Sequence, residues 1–138
     1  MSDDVEVKVI TQSCPLFVPI VEEGWERHHA SRLIAEEYLK KFDKKNIDTL
    51  VLGCTHYPML HNLLSELMPG VSLIDSGEHA AVASVRILGE KGLLADERSE
   101  YSFTPKTEFY VTDIPAVFHE LSKRFLGFEI NQPKRIIL

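Results

Sequence analysis

The run Asp48-Thr49-Leu50-Val51-Leu52-Gly53 narrows the possible folds of this chain more than any other stretch. It is short, continuously apolar and bounded by polar residues. It lacks the polar alternation of a strand with one wet face, so it reads as a strand buried on both faces of a parallel sheet. Parallel neighbours need a crossover, usually a helix, and helical patterns flank the run. From Ser31 to Lys45, Leu33, Ile34, Tyr38, Leu39 and Phe42 recur at helical spacing, while Arg32, Glu36, Glu37, Lys40 and Lys41 fill the other face. A second helix is expected from Pro58 to Leu67, a strand from Val71 to Ile74 and a third helix from Glu78 to Lys91. Upstream, Val5 to Ile10 alternates like a strand. Leu16 to Val21 then reads as an irregular apolar loop, because Pro15 and Pro19 lack amide donors and disfavour helix before them. Gly89 to Glu100 reads as a solvated loop. A strand at Glu108 to Thr112, a helix at Pro115 to Leu126 and a strand at Phe128 to Ile130 complete the chain. The expected class is α/β, a mostly parallel sheet flanked by helices. Ligands in such folds bind beyond the carboxyl ends of the strands, which is where Cys54 stands.

Composition removes several function classes. A chain of 138 residues that is 44% hydrophobic can bury one core. No apolar run reaches membrane-spanning length, and the acidic start Met-Ser-Asp-Asp-Val-Glu is unlike a secretory signal, so a cytoplasmic protein is expected. A net charge of −6 argues against nucleic-acid binding and favours small-molecule or protein partners. Cys14 and Cys54 are too few for a disulfide scaffold. Cys54 and His56 could supply two metal ligands, but no neighbouring CxxC or HxxxH completes a set, so no metal site is expected. His28 and His29 are adjacent and point about 100° apart on a helix, which presents no two-ligand face. Solvent exposure is expected for both, and Trp25 is expected to act as an amphipathic anchor.

The chemistry concentrates in Gly53-Cys54-Thr55-His56-Tyr57-Pro58. Glycine permits a tight turn, and a cysteine at the start of the following helix would have its thiolate stabilised by the unpaired amides and the dipole there. His56, two residues on, could pair with that thiolate or trade its proton. Either arrangement suits a nucleophile or a general acid/base. The plainer alternative is a buried, inert Cys54 beside a hydrogen-bonded loop histidine.

This string resembles the second catalytic cysteine motif of the aspartate/glutamate racemase superfamily. Cys14-Pro15-Leu16-Phe17-Val18-Pro19-Ile20-Val21-Glu22-Glu23-Gly24 resembles a segment of glutamate racemases in particular. Val71 to Gly77, Phe109 to Asp113 and Phe125-Leu126-Gly127 resemble later segments of those enzymes, in order. The resemblance implies interconversion of L- and D-glutamate without pyridoxal phosphate or any other cofactor, by two cysteines on opposite faces of the substrate α-carbon. The product would serve peptidoglycan synthesis. Cys54 would be the second of the two, His56 would assist its proton transfer, Thr55 would hydrogen-bond substrate, and Glu22, rather than the adjacent Glu23, would orient His56.

Whole enzymes of the family also carry an Asp-Ser-Gly-Gly-like turn and a first cysteine in a Cys-Asn-Thr context, and neither occurs in this sequence. Cys14 matches a non-catalytic cysteine and reads as a buried hydrophobe. The resemblance therefore implies a C-terminal half: residues 1–74 as the second α/β domain, and residues 75–138 as a segment completing a first domain that this chain lacks. Such a half would be inactive alone and would take the upstream N-terminal half as its partner. Otherwise Val82, Val85, Ile87, Phe118, Leu121 and Phe125 would be left to drive oligomerisation or to pack the tail on its own sheet. Two further readings stay open: a superfamily member with another substrate (an aspartate or hydantoin racemase, or an arylmalonate decarboxylase), and a truncated, non-catalytic binding module.

Overall fold

The computed structural model describes residues 7–43, 45–95, 107–113 and 118–137. The chain divides into two compact units, Met1–Ala83 and Ser84–Leu138.

The first unit opens without regular structure: residues 7–10, read from sequence as the end of a strand, form none, and Val7 and Val9 are exposed. Residues 5 and 6 of that expected strand lie outside the described residues. The expected apolar loop is instead a helix, α1 (Phe17–Glu22), with Phe17, Ile20 and Val21 buried. Pro19 is tolerated because it occupies the first turn, where an amide has no intrahelical acceptor to lose. Gly24 ends α1 with φ +73°. Its N–H donates to the Val21 carbonyl (3.1 Å) and the Trp25 N–H to the Ile20 carbonyl (2.9 Å), a Schellman closure that glycine adopts at no steric cost.

Helix α2 (His29–Leu39) and a 3₁₀ turn (Lys40–Phe42) bury Ser31, Ala35, Leu39 and Phe42. The buried stripe is rotated from the one expected: Leu33 is 53% exposed and Ser31 takes an inward position. Ser31 Oγ donates to the Trp25 carbonyl at 2.7 Å, which satisfies a hydroxyl that is fully buried.

Strand β1 (Thr49–Leu52) pairs in parallel with β2 (Ser72–Asp75), Thr49 opposite Ser72 and Leu52 opposite Asp75. Among the described residues only one face of β1 is covered. Leu52 is buried, but Val51 is 60% exposed, so the expectation of burial on both faces fails within this chain. The crossover is a 3₁₀ turn (Tyr57–Leu60) followed by α3 (His61–Leu67). The core gathers Cys14, Phe17, Ile20, Val21, Ala35, Leu39, Phe42, Leu52, Leu60 and Leu64.

Helix α4 (Ser76–Glu90) follows β2 and buries none of its residues; Val82, Val85 and Ile87 are all exposed. In the second unit, β3 (Tyr110–Val111) pairs in parallel with β4 (Lys134–Arg135), and α5 (Phe118–Leu126) is strongly amphipathic. The last strand is therefore at Lys134–Arg135. Residues 128–130, expected to be that strand, are irregular. Along α5, Phe118 and Leu121 are half-buried and Phe125 is 36% exposed. Residues 115–117 of the expected helix and 96–100 of the expected loop lie outside the described residues; at the start of that loop Gly89 and Glu90 instead close α4, and residues 91–95 are turn or irregular. Among the described residues no helix is long and apolar enough to cross a membrane.

Candidate active site

Cys54 sits immediately beyond the carboxyl end of β1, half-buried, in the turn that starts the crossover. The Tyr57 N–H donates to the Cys54 carbonyl at 3.1 Å and the Met59 N–H to the His56 carbonyl at 3.1 Å, so Cys54 to Met59 forms two overlapping turns. Two local expectations change here. The chain after Cys54 begins as a 3₁₀ turn, and α-helix starts only at His61, so the thiol does not lie at an α-helix N-terminus. Nor does this turn demand glycine: a Cβ on Gly53 would meet nothing within 4 Å, and Gly53 is not among the positive-φ residues.

The turn brings His56 back towards α1. Its Nε2 lies 3.5 Å from Glu22 Oε1, ion-pair distance when the imidazole is protonated, and its Nδ1 lies 3.4 Å from Thr55 Oγ1. Glu22 reaches this point as the last residue of α1, whose end is fixed by the Gly24 closure. Glu23 is the C-cap of the same helix, one residue further round. Cys54, Thr55, His56 and Glu22 thus come from one turn and one helix end of a single unit. The imidazole and the carboxylate are within ion-pair reach and the thiol precedes them in the same turn, a set of groups of the kind that hold and pass protons.

Cys14 is buried at the start of α1, with its Sγ 3.8 Å from the Gln12 carbonyl. Burial pushes its pKa up, and burial is also the main cause of a raised Tyr57 pKa, with the neighbouring Cys14 and Cys54 adding to it. Both groups are neutral when protonated, so the unfolded chain releases these protons first. Their effect on stability is nil below the ordinary thiol value of 9.0 and unfavourable as the pH climbs above it. Urea midpoints are therefore expected to hold steady up to that pH and then fall; a midpoint that rises there would contradict the burial. In the native chain Cys14 is also expected to react with iodoacetamide more slowly than Cys54, with the difference vanishing in denaturant. Equal native rates would show Cys14 to be accessible.

Two features were missed in the sequence. His28 is the N-cap of α2: its Nδ1 accepts the Ala30 N–H at 3.2 Å and its ring stacks on Trp25 at 4.5 Å. Histidine is not a usual capping residue, so the Ser/Thr/Asp/Asn signal was absent. The Tyr57 hydroxyl donates to the Cys14 carbonyl at 3.2 Å, a long-range bond that no local pattern announces.

No family model matches the sequence. Among curated relatives, a glutamate racemase of Syntrophus aciditrophicus is 43% identical over 134 residues, covering 96% of this chain and 48% of the relative. Among solved structures, a glutamate racemase of Francisella tularensis in complex with D-glutamate superimposes with a TM-score of 0.84 at 37% identity, covering 95% of this chain and 48% of that one. An isoform from Bacillus anthracis superimposes with a TM-score of 0.83 at 33% identity, covering 98% and 49%. The chain spans about half the length of the relatives it matches. In sequence and in α/β fold, this chain is a homologue of the glutamate racemases across about half of their length, consistent with their C-terminal half.

Proposed function

We propose that this chain is one half of a cofactor-independent glutamate racemase, supplying one of the enzyme's two acid/base cysteines and making D-glutamate for peptidoglycan in the cytoplasm. The observation that carries the reading is the approach of Glu22 to His56 at 3.5 Å beside Cys54, in a chain this similar to glutamate racemases. Cys54 as thiolate takes the substrate α-proton from one face, and a thiol from the other half returns a proton to the opposite face. In the reverse direction Cys54 is the donor. His56 exchanges a proton with Cys54 and Glu22 orients its ring. The Thr55 hydroxyl hydrogen-bonds the substrate. The carbanion-like transition state requires positioned donors and exclusion of water, which the N-terminal half completes by covering the Cys54 turn.

On this reading the chain alone does not racemise glutamate. The test follows α-proton exchange of D- and L-glutamate in D2O by NMR, using this chain alone and mixed with an N-terminal racemase half supplied in trans. Exchange and racemisation are expected only on mixing. A folded, associated but silent mixture would sink the assignment in favour of a related substrate or a non-catalytic module.

A further inference from the structure

We infer that Tyr57 is a positioning residue: its hydroxyl ties the start of α1 to the Cys54 turn and so sets the reach of Glu22 to His56, with Tyr38 holding the same segment from the other side. The functional meaning rests on the racemase reading, but the geometry does not. Tyr57 adjoins His56, and its N–H closes the turn on the Cys54 carbonyl. Its ring therefore moves with the turn. Its hydroxyl donates to the Cys14 carbonyl at 3.2 Å, an oxygen that also accepts the Phe17 N–H at 3.1 Å as α1 begins. The next amide but one, Leu16 N–H, donates to the Tyr38 hydroxyl at 3.2 Å.

Between the two tyrosines lies Phe17, 2% exposed, with each ring centroid 5.3 Å away and the planes at 81° and 85°. This edge-to-face packing holds the rings themselves in register. A helix as short as α1 transmits displacement from one end to the other with little bending. Tyr57, the Cys14 carbonyl, α1, Glu22 and His56 thus form a closed ring of stiff parts, and its closure at the far end is the Glu22–His56 contact. Releasing the tie at the start of α1 frees the carboxylate at its end. The raised Tyr57 pKa keeps the hydroxyl protonated as the donor this bond needs.

The test uses the isotopically labelled full chain as wild type, Tyr57→Phe, Tyr38→Phe and Glu22→Gln. Amide spectra report the fold, cross-relaxation between the Glu22 methylenes and the His56 ring reports their contact, and the His56 ring nitrogen shifts report its hydrogen bonding. Tyr57→Phe keeps both aromatic contacts and leaves the Cys14 carbonyl bonded to the Phe17 N–H. We expect unchanged amide signals in α2 and β1, loss of the Glu22–His56 cross-peak, and nitrogen shifts displaced towards those of Glu22→Gln. A folded Tyr57→Phe with the wild-type cross-peak and nitrogen shifts overturns the proposal. If Tyr57→Phe fails to fold, Tyr38→Phe decides: weakening of the same cross-peak supports the proposal, and a wild-type signature overturns it. Glutamate exchange by the mixed halves is read separately. Silence there with the cross-peak lost in Tyr57→Phe sinks the racemase reading and keeps the positioning role; exchange with the cross-peak retained does the reverse.

Discussion

Replacing Cys54 with alanine is expected to lower glutamate racemisation by at least about 100-fold when this chain is mixed with an N-terminal racemase half, because a positioned acid or base contributes roughly 10² to 10⁴ in rate. Racemisation should be lost equally from either enantiomer, whereas α-proton exchange should be lost chiefly for the enantiomer that Cys54 deprotonates, since the opposing thiol can still remove and return a proton on its own face. A two-base reaction run forwards and backwards needs each thiol once as base and once as acid, so removing either stops both directions. The fold should survive, because Cys54 is half-buried in a turn and lies outside the core cluster. An unchanged amide spectrum with racemisation abolished is the expected pair of results. Racemisation comparable to wild type in a folded Cys54→Ala chain would remove Cys54 from the chemistry and leave His56 as the group to pursue.

The largest effect on stability is expected at Phe17. Truncating a fully buried phenylalanine to alanine costs about 3 to 5 kcal/mol, a large share of the roughly 5 to 15 kcal/mol that separates a native domain from its unfolded chain. Phe17 stands at the upper end because its ring is packed edge-on by Tyr38 and Tyr57, and the gap cannot close without moving α1, α2 and the Cys54 turn together. Urea unfolding followed by circular dichroism should show Phe17→Ala with a much lower midpoint, or with no folded baseline. A loss below about 1 kcal/mol would mean that the three rings do not share one core, since even a single buried methylene is worth about 0.8 kcal/mol.

The sequence made the β1 strand and its Cys54 turn legible because an unbroken apolar run ending in glycine and polar residues has few other readings. Other elements were hidden for identifiable reasons. Two prolines concealed α1, although Pro15 lies just ahead of it and Pro19 inside its first turn, where a missing amide costs nothing. The face of α2 was misplaced because Ser31 counted as polar and Leu33 as apolar, whereas a hydrogen bond to the Trp25 carbonyl lets the serine go inside. Val51 reads as a core residue and is exposed, because among the described residues nothing packs over its face of the two-stranded β1–β2 sheet. At the site, resemblance alone singled out Glu22. Spacing cannot announce a contact between residues so far apart in sequence, and the structure supplies it through the end of a helix.

The parallel pairing of β1 with β2 also dictates an order of assembly. An antiparallel pair could close early as a hairpin, but these strands meet only after the whole crossover has been made and turned back on itself. Loop closure comes before reward in such a topology, which slows folding. The Cys54 turn lies inside that crossover. During synthesis on the ribosome the pairing of β1 with β2 therefore waits until Asp75 has emerged, and a nascent chain stalled before that residue carries the turn with its own local bonds but without the second strand beside it.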